Sequence, residues 1–405
     1  MEPPATDLRP SPAPSETTQA DRPAALPAPT RPSERTWAPD LARGAVLLGI
    51  ALANVSLYLH GSEMGSGHRP VGGTGLDRTL DFIVTLLVND RSRPMFALLF
   101  GFGLVTMVRR MQARGVDRAT RTRVLVRRQL WLIAFGTVHA ALLFEGDILG
   151  MYGATGLLVL VLLTWRPRAL LVAGMVSTLL LGGLFAAVEA LDVPTAPSDY
   201  LASVAQRLVP FVAGVVGGTA LLIVLAPMLV GVVLARHGLL DRPWEHLPTL
   251  RRLVVAGAVV GVAGSLPYAL VVAEVWQPGT VAAATLAAVH AMTGTAMGVA
   301  YVAAFGLWAA RLHTAGAARR GLPGALAAVG ERSLTCYLLQ SVMLAPLLAP
   351  WGLALGEGLG TAAAYGIALS VWLVTVLVAV ALASTGRRGP FEVLLRRLTY
   401  GRPTG

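Results

Sequence analysis

The sequence offers few ionisable groups suited to chemistry, and the densest cluster lies in FGTVHAALLFEGDILGMYGATG, from Phe135 to Gly156. There His139 precedes Glu145 and Asp147, which bracket Gly146, with Tyr152 a few residues further on. A histidine titrates near neutrality, so beside carboxylates it can serve as general base, proton relay or metal ligand. Metal is the least supported of these, because no second His cluster stands at ligand spacing. A simple hydrogen bond between helices is the competing structural explanation. In LARGAVLLGIALANV, Arg43 and Asn54 are three helical turns apart and share a face, and His60 follows at the end of that segment. In GERSLTCYLLQS, Arg332, Cys336 and Gln340 step by four beside Glu331, Tyr337 and Ser341. Such a face can line a polar cavity or lock its helix to the first one. Arg91 and Arg93, ahead of PMFALLFGFGLV, either neutralise Asp90 or form an anion site, whereas His290 stands isolated and reads as structural. The chain carries no G-x-S-x-G elbow, phosphate-binding loop, nucleotide fingerprint or H-E-x-x-H.

The elements that must position these groups are membrane helices. Of 405 residues 55% are hydrophobic and 14% charged, and the mean hydropathy is +0.64. A soluble domain carries about 25% charged residues. Ten stretches are apolar over roughly the 20 residues that a helix needs to cross the hydrocarbon core: 42–60, 94–109, 128–145, 147–165, 168–189, 211–235, 252–275, 285–310, 332–350 and 362–384. The expected fold is therefore an all-α integral membrane bundle of about ten spans. Residues 1–40 are rich in Pro and poor in core-forming side chains, which predicts a disordered tail. It lacks the features of a cleaved leader, so the first span is expected to stay as an anchor. A Pro-, Ser- and Asp-bearing connection, 191–210, separates two five-span halves, 41–190 and 211–402.

All 33 basic residues are Arg, and the net charge is +11. The longest basic run joins the second and third spans: Arg109, Arg110, Arg114, Arg118, Arg121, Arg123, Arg127 and Arg128. Arginine is retained on the cytoplasmic side. With that run inside, most arginines fall on inner connections and half of the acids on outer ones, and both termini are cytoplasmic. Charge that follows loop parity speaks for a lipid bilayer as partner and against nucleic acid. The single cysteine, Cys336, excludes an intrachain disulfide.

The segments LARGAVLLGIALANV, MFALLFGFG, GTVHAALLFEGDILGMYGATGLLVL, GERSLTCYLLQS and GPFEVLLRRLTYGR, in that order, resemble the YeiB-like bacterial inner-membrane proteins, whose C-terminal half is the domain of unknown function numbered 418. The resemblance covers roughly 40–402 and implies a multi-pass protein of the bacterial plasma membrane, without a settled activity. A more distant similarity is to membrane acyltransferases of the heparan-glucosaminide type, which also open with Arg-Gly and an Asn eleven residues later. That similarity implies transfer of an acyl group from a cytoplasmic donor, such as acyl-coenzyme A, to an acceptor at or across the membrane, with no permanently bound cofactor and no metal. His139 or His60 would be the base, although His60 lacks the aromatic neighbours expected of one. Glu145 or Asp147 would orient it, and Arg43, Asn54, Arg93, Tyr152 and Tyr337 would contact substrate. A second expectation is a secondary transporter or exporter of a small or amphipathic solute, with Gln340, Arg332 and His139 lining its path. A third is a scaffold that recruits partners through the Pro-rich tail.

Overall fold

The computed structural model describes residues 37–189, 199–318 and 320–401. The predicted tail lies outside them except for 37–40, which already form the first turn of helix α1, Trp37–Val55. A two-stranded antiparallel hairpin follows, β1 Met64–Gly65 and β2 Arg69–Pro70, and then α2, Gly75–Leu87. The chain continues through α3 Ser92–Ala113, α4 Arg118–Leu142, α5 Leu149–Leu162 and α6 Pro167–Glu189. After α7 Tyr200–Val216 and α8 Thr219–Arg236 come α9 Leu247–Val272 and the long α10 Thr280–Thr314. The last elements are α11 Gly321–Glu331, α12 Ser333–Leu348, α13 Thr361–Ser384 and α14 Pro390–Tyr400.

Among the described residues seven helical segments are long and apolar enough to cross a membrane: Trp37–Tyr58, Gly75–Ala113, Pro167–Glu189, Thr219–Arg236, Leu247–Val272, Thr280–Thr314 and Thr361–Ser384. Helices α5, α7 and α12 are apolar but shorter, and α4 carries Arg118, Arg121, Arg123, Arg127 and Arg128 over its first three turns. These four can share a bilayer only where neighbouring helices cover their ends and charges, since backbone groups exposed to lipid are costly.

Three of the differences from the sequence expectation have a clear local reason. Helix α2 is held by a capping box in which the Thr74 hydroxyl accepts from the Asp77 amide and the Asp77 carboxylate accepts from the Thr74 amide. The expected connection 191–210 is helical from Tyr200 onward, started by Asp199, whose carboxylate accepts from the Ala202 amide. The expected span 211–235 is broken at Gly217 and Gly218, the latter with φ +85°, a left-handed conformation in which glycine meets no Cβ clash.

The core is built on close helix approach. At Gly101 of α3 an added Cβ would stand 2.1 Å from the Met228 carbonyl oxygen of α8, and at Gly231 of α8 it would stand 2.0 Å from that of Leu98 of α3. Each glycine admits the other helix's backbone, as small residues do in membrane bundles. Substitution Gly101→Val forces α3 and α8 apart along a contact that also buries Leu98, Leu99, Phe102, Met228 and Leu229. Overpacking typically costs about 1–3 kcal/mol, and here backbone rather than a flexible side chain must yield. The expected result is a clear loss of thermal stability in detergent, whereas Gly183→Ala, which meets nothing within 4 Å, leaves it unchanged.

Candidate active site

Helix α4 ends at Leu142, where the His139 carbonyl accepts from the amides of Leu143 and Phe144 and the chain turns. Gly136 lets α5 begin directly against α4: a Cβ there would lie 2.2 Å from the Gly150 nitrogen. That approach places Asp147, just before α5, against His139, one turn from the end of α4. The His139 Nδ1 lies 2.7 Å from Asp147 Oδ1, and Asp147 Oδ2 accepts from the Gly150 amide at 2.7 Å. Both side chains are at most 1% exposed.

A carboxylate so close to Nδ1 accepts a hydrogen bond from its N–H, which leaves Nε2 as the lone-pair nitrogen. Nε2 has no hydrogen-bond partner among the described residues. A buried imidazole held by one carboxylate and bare at the other nitrogen is equipped to accept a proton from a bound group. Glu145 of the same turn is exposed, so Asp147 is the carboxylate that orients the imidazole. The Tyr337 ring lies 5.2 Å from the His139 ring, centroid to centroid, and its hydroxyl accepts from the Ile148 amide at 3.3 Å.

Beside Tyr337 lies a cavity of about 420 Å³. Its inner wall is Phe96, Phe100, Leu132, Ile148, Leu149, Tyr152 and Tyr337, and its mouth carries Arg43, Arg110, Arg114, Arg128 and Arg396. Arg110 and Arg114 flank the turn between α3 and α4, while His139 sits near the opposite end of α4. The cavity thus runs from the arginine-rich end of the bundle toward the His139–Asp147 pair. Arg43 donates to the Leu99 carbonyl at 3.2 Å, with Gly103 leaving it room. The Arg128 guanidinium stands 5.2 Å over the Phe100 ring, a cation–π contact. Four carboxylates temper this charge: Asp40, Asp241, Glu331 and Glu392. Glu392 is committed to capping α12, accepting from the Leu334 and Thr335 amides at 2.8 and 3.0 Å. Burial pushes the Asp241 carboxyl above its ordinary range in spite of Arg109, Arg110 and Arg242.

The remaining sequence candidates are dispersed. His60 lies beyond α1, its Nδ1 3.1 Å from the Tyr58 carbonyl and its backbone bridged to Glu357, and it does not line the cavity. Asn54 is half-buried and likewise outside the lining. Arg93 pairs with Asp90 and its carbonyl accepts from the Tyr152 hydroxyl at 3.0 Å, so it supports the cavity wall from behind. Arg91, fully buried, donates to the carbonyls of His290 and Gly261. His290 is not isolated: Ser265 and its Nδ1 are 2.8 Å apart, and Nε2 is 3.5 Å from Asp90. Gln340 donates to the Leu47 carbonyl and ties α12 to α1. Arg332 stands in the break between α11 and α12 and binds the carbonyls of Arg387 and Ala328. Sequence reasoning missed the arginine-lined cavity wall, because those arginines were accounted for by loop charge alone. It also passed over Arg207, whose single positive charge midway along α7 had no visible partner in the sequence.

Among the described residues no three His, Cys, Asp or Glu side chains converge as metal ligands do. The helices and the cavity define an all-α integral membrane protein with a buried His–Asp pair beside a basic pocket. Residues 234–402 match the profile of a family described as protein of unknown function (DUF418). The chain is similar to the uncharacterized protein YxaH of Bacillus subtilis, 25% identical over 92% of this chain and 96% of that protein. It is likewise similar to the uncharacterized protein YeiB of Escherichia coli, 28% identical over 90% of this chain and 96% of that one. No solved structure matches. The C-terminal part of the chain is thus DUF418-like, and the chain as a whole is similar to YxaH and YeiB.

Proposed function

We propose that the protein is an acyltransferase of the bacterial plasma membrane, with the arginine-rich end and both termini in the cytoplasm. The observation that carries this reading is the His139–Asp147 pair, with Nε2 unpartnered, beside the deep end of a cavity whose mouth is basic. Arg43, Arg110, Arg114, Arg128 and Arg396 suit the phosphates of a donor such as acyl-coenzyme A. The aromatic and aliphatic wall suits its acyl chain. In the transfer, His139 Nε2 accepts the proton of an acceptor hydroxyl or amine as that group bonds to the acyl carbonyl carbon. The carbon–sulfur bond breaks, and the thiolate takes up the proton. Asp147 holds the productive tautomer and stabilises the imidazolium.

The competing reading, a solute exporter, assigned Gln340, Arg332 and His139 to a pathway, and the first two are engaged with backbone carbonyls. Purified protein in proteoliposomes, supplied with radiolabelled acyl-coenzyme A on one side, distinguishes the two. Transfer predicts release of free coenzyme A and retention of label on an acceptor or in water. Intact donor together with gradient-dependent solute flux would overturn it.

A further inference from the structure

The His139–Asp147 pair is buried at the end of the bundle opposite the arginines, and α7 packs on the residues that flank it, the end of α4 and the start of α5. Helix α7 buries a single edge, Ser203, Arg207 and Phe211, spaced by four. Leu201, Val209 and Val216 on its other faces are exposed. Its hold on α4 is largely polar. The Arg207 guanidinium donates to the carbonyls of Ala140 at 3.3 Å and Ala141 at 2.9 Å, and the Tyr200 hydroxyl donates to that of Leu142 at 3.0 Å. These are the carbonyls that the end of α4 leaves without helical partners, directly after His139. Phe211 packs on Gly150, whose amide holds Asp147. At its far end α7 meets α8 through Gly217 and Gly218, with φ +85° at the second, and Pro210 removes one of its own internal hydrogen bonds.

We propose that α7 is a door, hinged at Gly217–Gly218, through which the acceptor hydroxyl or amine reaches His139 from the side opposite the donor mouth. The proposal rests on the acyl-transfer reading for the nature of the visitor. Its physical basis is separate: Nε2 is buried, His139 itself does not line the cavity, and an acceptor must therefore enter where a cover can lift. Arg207 is the latch. It exchanges the α4 carbonyls, when open, for the Tyr200 and Trp351 rings, which its guanidinium already faces at 5.5 Å.

The test uses accessibility and needs no substrate. In a full-length Cys336→Ser background, Ala140→Cys places a thiol where the native residue is fully buried and beneath α7. Membrane-impermeant methanethiosulfonate is applied separately to right-side-out and inverted vesicles. Modification is expected only from the face opposite the arginine-rich end. Arg207→Gln is expected to speed it about tenfold or more, the size of losing charge-assisted hydrogen bonds, and Tyr200→Phe is expected to speed it less. Ala287→Cys, buried at 2% exposure in α10 away from α7, reports general loosening and stays protected. Equal rates with and without Arg207, a parallel rise at Ala287→Cys, or modification from the arginine-rich face would overturn the door. A door-dependent rate in a protein that fails to transfer acyl groups upholds the door and removes only the reaction assigned to it.

Discussion

His139→Gln lowers acyl transfer by about 10²–10⁴-fold, the usual contribution of a positioned general base, with little change in the KM for the donor. The reasoning is geometric. The His139 Nε2 is the unpartnered nitrogen and Asp147 fixes the other at 2.7 Å. Glutamine preserves much of the volume and can still meet Asp147, but its amide has no basic nitrogen. Asp147→Asn should fall in the same range by another route, since an amide side chain can donate to Nδ1 and turn the imidazole to the tautomer that carries its proton on Nε2. Removing the pair together should cost little more than removing either, because the two act as a unit. Glu145→Gln, at an exposed position outside the pair, leaves the rate within about twofold. Steady-state release of free coenzyme A, with melting temperature as a check on folding, reads all four variants.

The second large effect belongs to the cavity mouth. Arg43→Met and Arg128→Met keep much of the apolar stem and remove the charge, so each should raise the KM for a phosphorylated donor about tenfold or more while kcat is retained. A loss confined to KM identifies groups that bind ground and transition states alike. The effect should shrink as salt is added, because charge at an open mouth is screened. Arg332→Met serves as contrast. Its guanidinium fastens the Arg387 carbonyl and pairs with Glu331 but does not itself line the cavity, so it should lower stability with a smaller change in KM.

Much of this was legible in the chain itself. His139 and Asp147 stand out because ionisable groups are rare in apolar helices, and their spacing across a short turn nearly dictates their meeting. The same logic failed for His60, since proximity at the end of α1 does not bring it past Tyr58 to the cavity. It failed for Arg332 as a pathway residue, since its guanidinium is taken up largely by backbone carbonyls, which have no sequence signature, whereas Gln340 does lock its helix to the first one. Helix α2 was readable from Thr74 and Asp77 as a capping box. The break at Gly217–Gly218 was not, because a glycine pair in an apolar run is as common in continuous packing as at a hinge. The basic loop was read as a charge asymmetry that sets orientation. That it also lines a cavity depends on how α1, α4 and α14 converge, and composition does not contain that.

The central claim is that the cavity and the His139–Asp147 pair form one site, with the reactive end of the donor at the pair. Acyl-coenzyme A carrying a photoactivatable diazirine near its thioester, bound to the intact protein and irradiated, tests this most directly by mass-spectrometric mapping of the adduct. Adducts on Ile148, Leu149 or Tyr337, suppressed by unlabelled donor and lost in Arg43→Met, are the predicted result. Competable adducts confined to His60, the β1–β2 hairpin or α9, with none on the cavity wall, would contradict it.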